Sequence, residues 1–90
     1  MNTNVLVLDY NHINHSKVNQ ANDWIMAKGK DIDGNDTILM SVPLHDRTLA
    51  DHDFPDWLCS IMALAWENNA YYIIFQRDGE VVNSLMYYLD

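Results

Sequence analysis

Positive charge is what this sequence has least of. Five Lys and Arg stand against 13 Asp and Glu, a formal charge of -8. Bare nucleic acid and anionic membranes repel such a chain, whereas a Lys/Arg-rich protein surface attracts it. Cysteine is nearly absent too. Cys59 is the only one, so an internal disulfide is excluded and a reducing cytoplasm is expected. With three glycines and two prolines there is no flexible linker and no Gly-rich phosphate loop. No run reaches the ~20 apolar residues of a membrane span, and Met1-Asn2-Thr3-Asn4 lacks the basic start of a signal peptide. These absences predict one soluble, cytoplasmic domain over residues 1–90.

What is present is a core. The chain is 49% hydrophobic and 20% charged, which is not the composition of a disordered acidic tail. Asn4 to Asp9 reads as an inner strand. Asn14 is placed to cap a helix running to about Lys28, with Val18, Ala21, Ile25 and Lys28 in one stripe. Lys30 to Asp36 is a loop, and Thr37 to Val42 is a second strand closed by Pro43. Leu44 to Asp53 is a polar loop. A second helix begins near Pro55, with Asp53 and Asp56 at its positive end. Along it Asp56, Ser60, Ala63 and Glu67 form a narrow polar or small stripe on an otherwise apolar helix, and Asn68-Asn69 ends it.

Tyr71 to Gln76 is a strand, and Asp78-Gly79 suits a type I′ turn leading into a last strand, Val81 to Tyr88. The expected class is α+β in the order β-α-β-α-β-β: two helices on a small, mixed four-stranded sheet with a C-terminal hairpin. Alternation along the hairpin puts apolar side chains on both sheet faces, so one face is either covered by the helices and a loop or left as a contact surface.

The candidate chemistry is sparse. Asp31-x-Asp33-Gly34-Asn35-Asp36 resembles a calcium loop but has Gly at the fourth position rather than the sixth, and Val42 where a bidentate Glu belongs. An Asx turn accounts for it. His12, His15, His45, His52 and Cys59 do not have zinc-site spacing. His12 reads as a loop anchor, His45 and His52 as solvated surface, and Cys59 as a packed, inert thiol. No catalytic residue, metal ligand or cofactor is assigned.

Phe54-Pro55-Asp56-Trp57-Leu58 opening an apolar helix, Asn69-Ala70-Tyr71-Tyr72-Ile73-Ile74-Phe75-Gln76-Arg77-Asp78-Gly79, and Leu85-x-Tyr87-Tyr88 together resemble an uncharacterised family of small proteins. They are carried on bacterial plasmids, phages and integrated elements. Asn11-His12-Ile13-Asn14 loosely matches that family's Ala-His-Ile-Thr stretch, and Met86 stands where the family often has Pro. The family has no established activity and transfers no functional residue. It implies a mobile-element context, where small acidic proteins often resemble inhibitors of host defence such as anti-CRISPR proteins.

The leading functional expectation is therefore a binding protein that occupies a basic, nucleic-acid-binding surface of a host effector. Asp31, Asp33, Asp36, Asp46, Asp51 and Asp53 would supply the charged contacts, and Tyr72, Ile74 and Tyr88 the apolar anchors. The alternatives are a homodimeric accessory module, using the spare sheet face without nucleic-acid mimicry, and an enzyme using Cys59 with a histidine.

Overall fold

The computed structural model describes residues 4–44 and 52–89. Strand β1 (Val5–Asp9) leads into a 3-10 turn (Tyr10–His12) and a longer 3-10 helix (His15–Ala21). Strands β2 (Ile25–Lys30) and β3 (Asp36–Ser41) follow, then helix α1 (Asp56–Glu67) and strand β4 (Tyr72–Gln76). The chain is a small α+β fold with a mixed four-stranded sheet in the order β1-β4-β3-β2. β1 runs parallel to β4, while β4 with β3 and β3 with β2 are antiparallel.

Among the described residues the sheet has one packed face. Leu8, Ile38, Met40, Ile73 and Phe75 alternate onto it and are buried with Leu58, Ile61, Met62 and Ala65 of α1. The helix forms where the sequence places it. Pro55 precedes its first residue, and its exposed stripe is Asp56, Ser60 and Glu67 with half-buried Ala63. It ends because Asn69 turns left-handed (φ 54°), letting the Ala70 N–H close back on the Ala65 carbonyl at 2.9 Å.

Several elements differ from expectation. The helix expected to reach Lys28 stops at Ala21 as a 3-10 helix, and its supposed last turns are β2. Asn14 does not cap it; its Oδ1 accepts from the Ser16 hydroxyl instead. β2 is a strand because β3 offers a hydrogen-bonding edge, and a bulge between Ile25 and Ala27 fits it there. The residues expected as a helix-to-strand loop are thus a hairpin turn. In it Asp31 accepts from the Asp33 and Asn35 N–H groups, and Gly34 takes a φ of 83°. This is the Asx turn expected in place of a calcium loop.

The expected C-terminal hairpin does not form. β4 already has β1 on one side and β3 on the other, so no edge is left for Val81 to Tyr88. Neither Asp78 nor Gly79 adopts the positive φ of a type I′ turn. The chain crosses to β1, where Glu80 donates to Val7 O and accepts from Asp9 N–H (3.2 and 2.9 Å). Gly79 is required for close approach: a Cβ there would lie 2.1 Å from Leu8 O. β1 is accordingly an edge strand, not an inner one, and Val5 and Val7 are 43% and 37% exposed.

Residues 81–89 run on as a strap. His12, 1% exposed, holds it. Its Nδ1 donates to Met86 O at 2.7 Å and its Nε2 accepts from Val82 N–H at 3.0 Å. One neutral tautomer makes both bonds. Tyr88 N–H donates to Asn11 O at 2.6 Å, and Leu85 is buried in the core.

Candidate functional site

The predicted contact residues fall into separate places. Asp46 and Asp51, like His45, lie outside the described residues. Asp31, Asp33 and Asp36 belong to the β2–β3 turn. Tyr72 and Ile74 sit on the sheet face opposite α1. Asp53 and Tyr88 meet in a groove.

That groove lies between the 3-10 helix, the start of α1 and the strap. It has a cavity volume of about 660 Å³. Asp53 and Asp56 bring carboxylates to it; Phe54, Trp57, Met86 and Tyr88 supply apolar surface; among the described residues Lys17 is its single base. Each is placed by a local cause. Asp53 holds a left-handed backbone (φ 58°) just before the helix, a conformation Asp tolerates better than most residues. Asp56 occupies the exposed stripe of the first helical turn, where the helix dipole favours a carboxylate. Met86 and Tyr88 are delivered by the His12-anchored strap. Among the described residues, Asp53 and Asp56 have no hydrogen-bond or ion-pair partner, and the buried Trp57 Nε1 has none either.

A second hollow of about 410 Å³ holds Asp9, Asp36 and Asp78 with Arg77 and Tyr87. Two of its three acids are already engaged. Asp9 accepts from Asn11 N–H, Asp36 pairs with Lys30, and Arg77 adds a positive charge. In the adjoining turn, the N–H groups of Asn35 and Asp33 and the Asn35 amide hold the Asp31 carboxyl below its ordinary pKa. Those bonds commit Asp31 to the turn. The Asp36 carboxylate, through its hydrogen bond and charge, raises the Lys30 ammonium pKa. The strap separates the two hollows, with Tyr87 lining one and Met86 and Tyr88 the other.

The acids therefore do not make one continuous face among the described residues. Among the described residues, the groove brings two carboxylates without a partner, Asp53 and Asp56, together with the aromatic surface of Phe54, Trp57 and Tyr88. Asp56, Trp57 and Met86 were not among the contact residues expected from sequence. Asp56 and Trp57 had a signal, because they fall within five residues of Asp53; Met86 had none, since its approach depends on a long-range contact.

His52 is not solvated surface. It is half-buried, stacked on Phe54 with ring centroids 5.2 Å apart and tilted against Trp66 at 5.6 Å. Burial, and secondarily the charge of Asp56, push the Cys59 thiol pKa up; its Sγ contacts Phe54 O at 3.8 Å. Among the described residues no three His, Cys, Asp or Glu side chains converge to hold a metal ion, and no helix is long and apolar enough to cross a membrane. No protein family, curated protein or solved structure matches the chain.

Proposed function

We propose that this domain is a protein-binding module whose groove takes a Lys/Arg-bearing segment of a basic partner. The observation that carries the reading is the meeting of Asp53 and Asp56 with Trp57 and Tyr88 in one groove. Carboxylates steer and orient a cationic segment, and aromatic faces hold its stem and charge by packing and cation–π attraction. The net charge of -8 adds long-range attraction to any such partner.

The resemblance to mobile-element proteins sets the context. The partner is then a nucleic-acid-binding effector of host defence in the cytoplasm, which presents Lys and Arg to phosphates. The domain would work as an inhibitor of the anti-CRISPR kind by occupying that surface, and not as an enzyme. This sharpens the acid set to Asp53 and Asp56 and reassigns Asp31 and Asp36 to the hairpin.

The test is capture from host lysate at low and high salt with wild type and an Asp53→Asn/Asp56→Asn variant. The expected result is a basic partner retained by wild type at low salt, released at high salt and lost by the variant. Equal capture by the variant would overturn the assignment of the groove, and salt-independent capture would overturn the electrostatic reading.

A further inference from the structure

The 3-10 helix beside the groove runs for seven residues, His15–Ala21, whereas such helices rarely exceed three or four. Side chains three apart eclipse in this geometry, so the helix presents straight rows. His15, Val18 and Ala21 form the inward row: Ala21 is buried, Val18 packs against the core and His15 stacks on Tyr10. Ser16 and Asn19 form an exposed row. The third row starts at the N-cap, where Lys17 N–H donates to Asn14 O at 3.0 Å. It consists of Asn14, Lys17 and Gln20, and all three line the groove. An α-helix would break this row, turning each member about 60° from the one before.

The row is a line of hydrogen-bond donors. Asn14 Oδ1 accepts from the Ser16 hydroxyl at 2.9 Å, which commits the oxygen and leaves the amide nitrogen to donate elsewhere. Among the described residues the Lys17 ammonium and the Gln20 amide have no partner. Successive donors are ~6 Å apart along the axis, three residues at ~2.0 Å each. On one edge of an extended chain, carbonyls recur every two residues, ~6.6 Å apart. Over three donors the two repeats drift by only about 1 Å, which flexible side chains take up. A helical segment offers no such line, because its carbonyls are bonded internally.

The start of α1 supplies another wall, with the unpartnered carboxylates of Asp53 and Asp56 beside Trp57. Side chains of an extended chain stand away from its carbonyl edges, and every second one points the same way. Resting on the groove as the binding site, we infer that its occupant is an extended segment with basic residues at alternate positions. Asn14, Lys17 and Gln20 hold its main-chain carbonyls. Asp53 and Asp56 hold its bases against Trp57 and Tyr88. Adjacent bases would point to opposite sides, and only one of the two would reach the acids. A polyamine carries the charge but has no carbonyl for the row.

Three probes with two positive charges each test this by NMR titration of the full chain at low salt. They are capped Thr-Arg-Thr-Arg-Thr, its isomer Thr-Arg-Arg-Thr-Thr, and putrescine. The alternating peptide should bind about tenfold or more tighter than either other probe, the equivalent of two hydrogen bonds. Asn14→Ala/Gln20→Ala, with unchanged circular dichroism, should lose that preference and bind putrescine as wild type does. Should that variant fail to fold, the two isomeric peptides on wild type decide. Equal affinity for all three probes, each lost in Asp53→Asn/Asp56→Asn, would overturn the inference and leave the groove as a cation site. A preference that survives Asn14→Ala/Gln20→Ala would overturn the role of the row. Binding of the alternating peptide that is unchanged in Asp53→Asn/Asp56→Asn, or no binding by any probe, would overturn the groove reading and this inference together.

Discussion

Replacing His12 with alanine tests how the groove is assembled. The ring is 1% exposed and satisfies two backbone groups seventy or more residues away, Val82 N–H and Met86 O. It also meets Tyr87 edge to face at 5.6 Å. Deleting it strands a donor and an acceptor. These bonds are part-buried, so each orphaned group costs about 1 kcal/mol, the low end of the usual penalty. The lost packing of the ring adds about 1 kcal/mol.

The total of about 3 kcal/mol is a large share of the ~5–13 kcal/mol available to a chain of this length. It corresponds to a fall in Tm of ~12–24 °C, or ~1–3 M in the urea midpoint. Thermal and urea unfolding followed by circular dichroism read it. Amide exchange localises it: Val82, Leu85 and Tyr88 should lose protection in His12→Ala beyond the global loss, and α1 should not. A Tm shift under ~4 °C, equivalent to under ~1 kcal/mol, would refute the view that His12 pins the strap, as would uniform loss of protection.

Three further outcomes follow from single contacts. Gly79→Ala should cost several kcal/mol (~3 or more, the mark of a named steric conflict) because its Cβ would sit 2.1 Å from Leu8 O; unfolding within 1 kcal/mol of wild type would contradict the close approach. Asp31 titrates below its ordinary value because the turn N–H groups and the Asn35 amide bind the carboxylate. Its contribution to stability is thus present above the ordinary carboxylate value and is lost as pH falls through the lower folded value, which carboxyl NMR titration of the folded chain reads; a raised value would contradict the Asx turn. Cys59, its pKa raised by burial and by Asp56, should alkylate near pH 8 more slowly in the folded chain than in urea; equal rates would show an exposed, ordinary thiol.

How much of this was legible in the sequence depends on where each element's cause lies. α1 was legible because its causes are local: Pro55 and Asp56 at the start, the four-three-four spacing of its polar stripe, and Asn69 at the end. β3 and β4 were legible as apolar runs. β2 was not, because Ile-Met-Ala-Lys-Gly-Lys has no strand pattern of its own and is ordered by pairing with β3. Val81 to Tyr88 has strand composition but meets a sheet in which β4 has no free edge. The Asp78-Gly79 pair showed a turn; only the approach of Gly79 to Leu8 O reveals which way the chain goes.

The site followed the same rule. Charge alone pointed to Asp31, Asp33 and Asp36, which the structure places in and beside a hairpin turn, with Asp31 bound to its N–H groups and Asp36 paired with Lys30. Asp53 and Tyr88 were named singly from the sequence, but their meeting in one groove was not legible there. It depends on a strap held across the fold by His12.

The most direct test of the groove is an NMR titration of the labelled chain with an arginine-rich peptide at low salt. Shift changes should gather at Asn14 to Gln20, Asp53 to Trp57 and Met86 to Tyr88, weaken as salt rises, and shrink in Asp53→Asn/Asp56→Asn. Changes centred on the Asp31 to Asp36 turn or on Val7, Leu39 and Ile74, with the groove silent, would contradict the account.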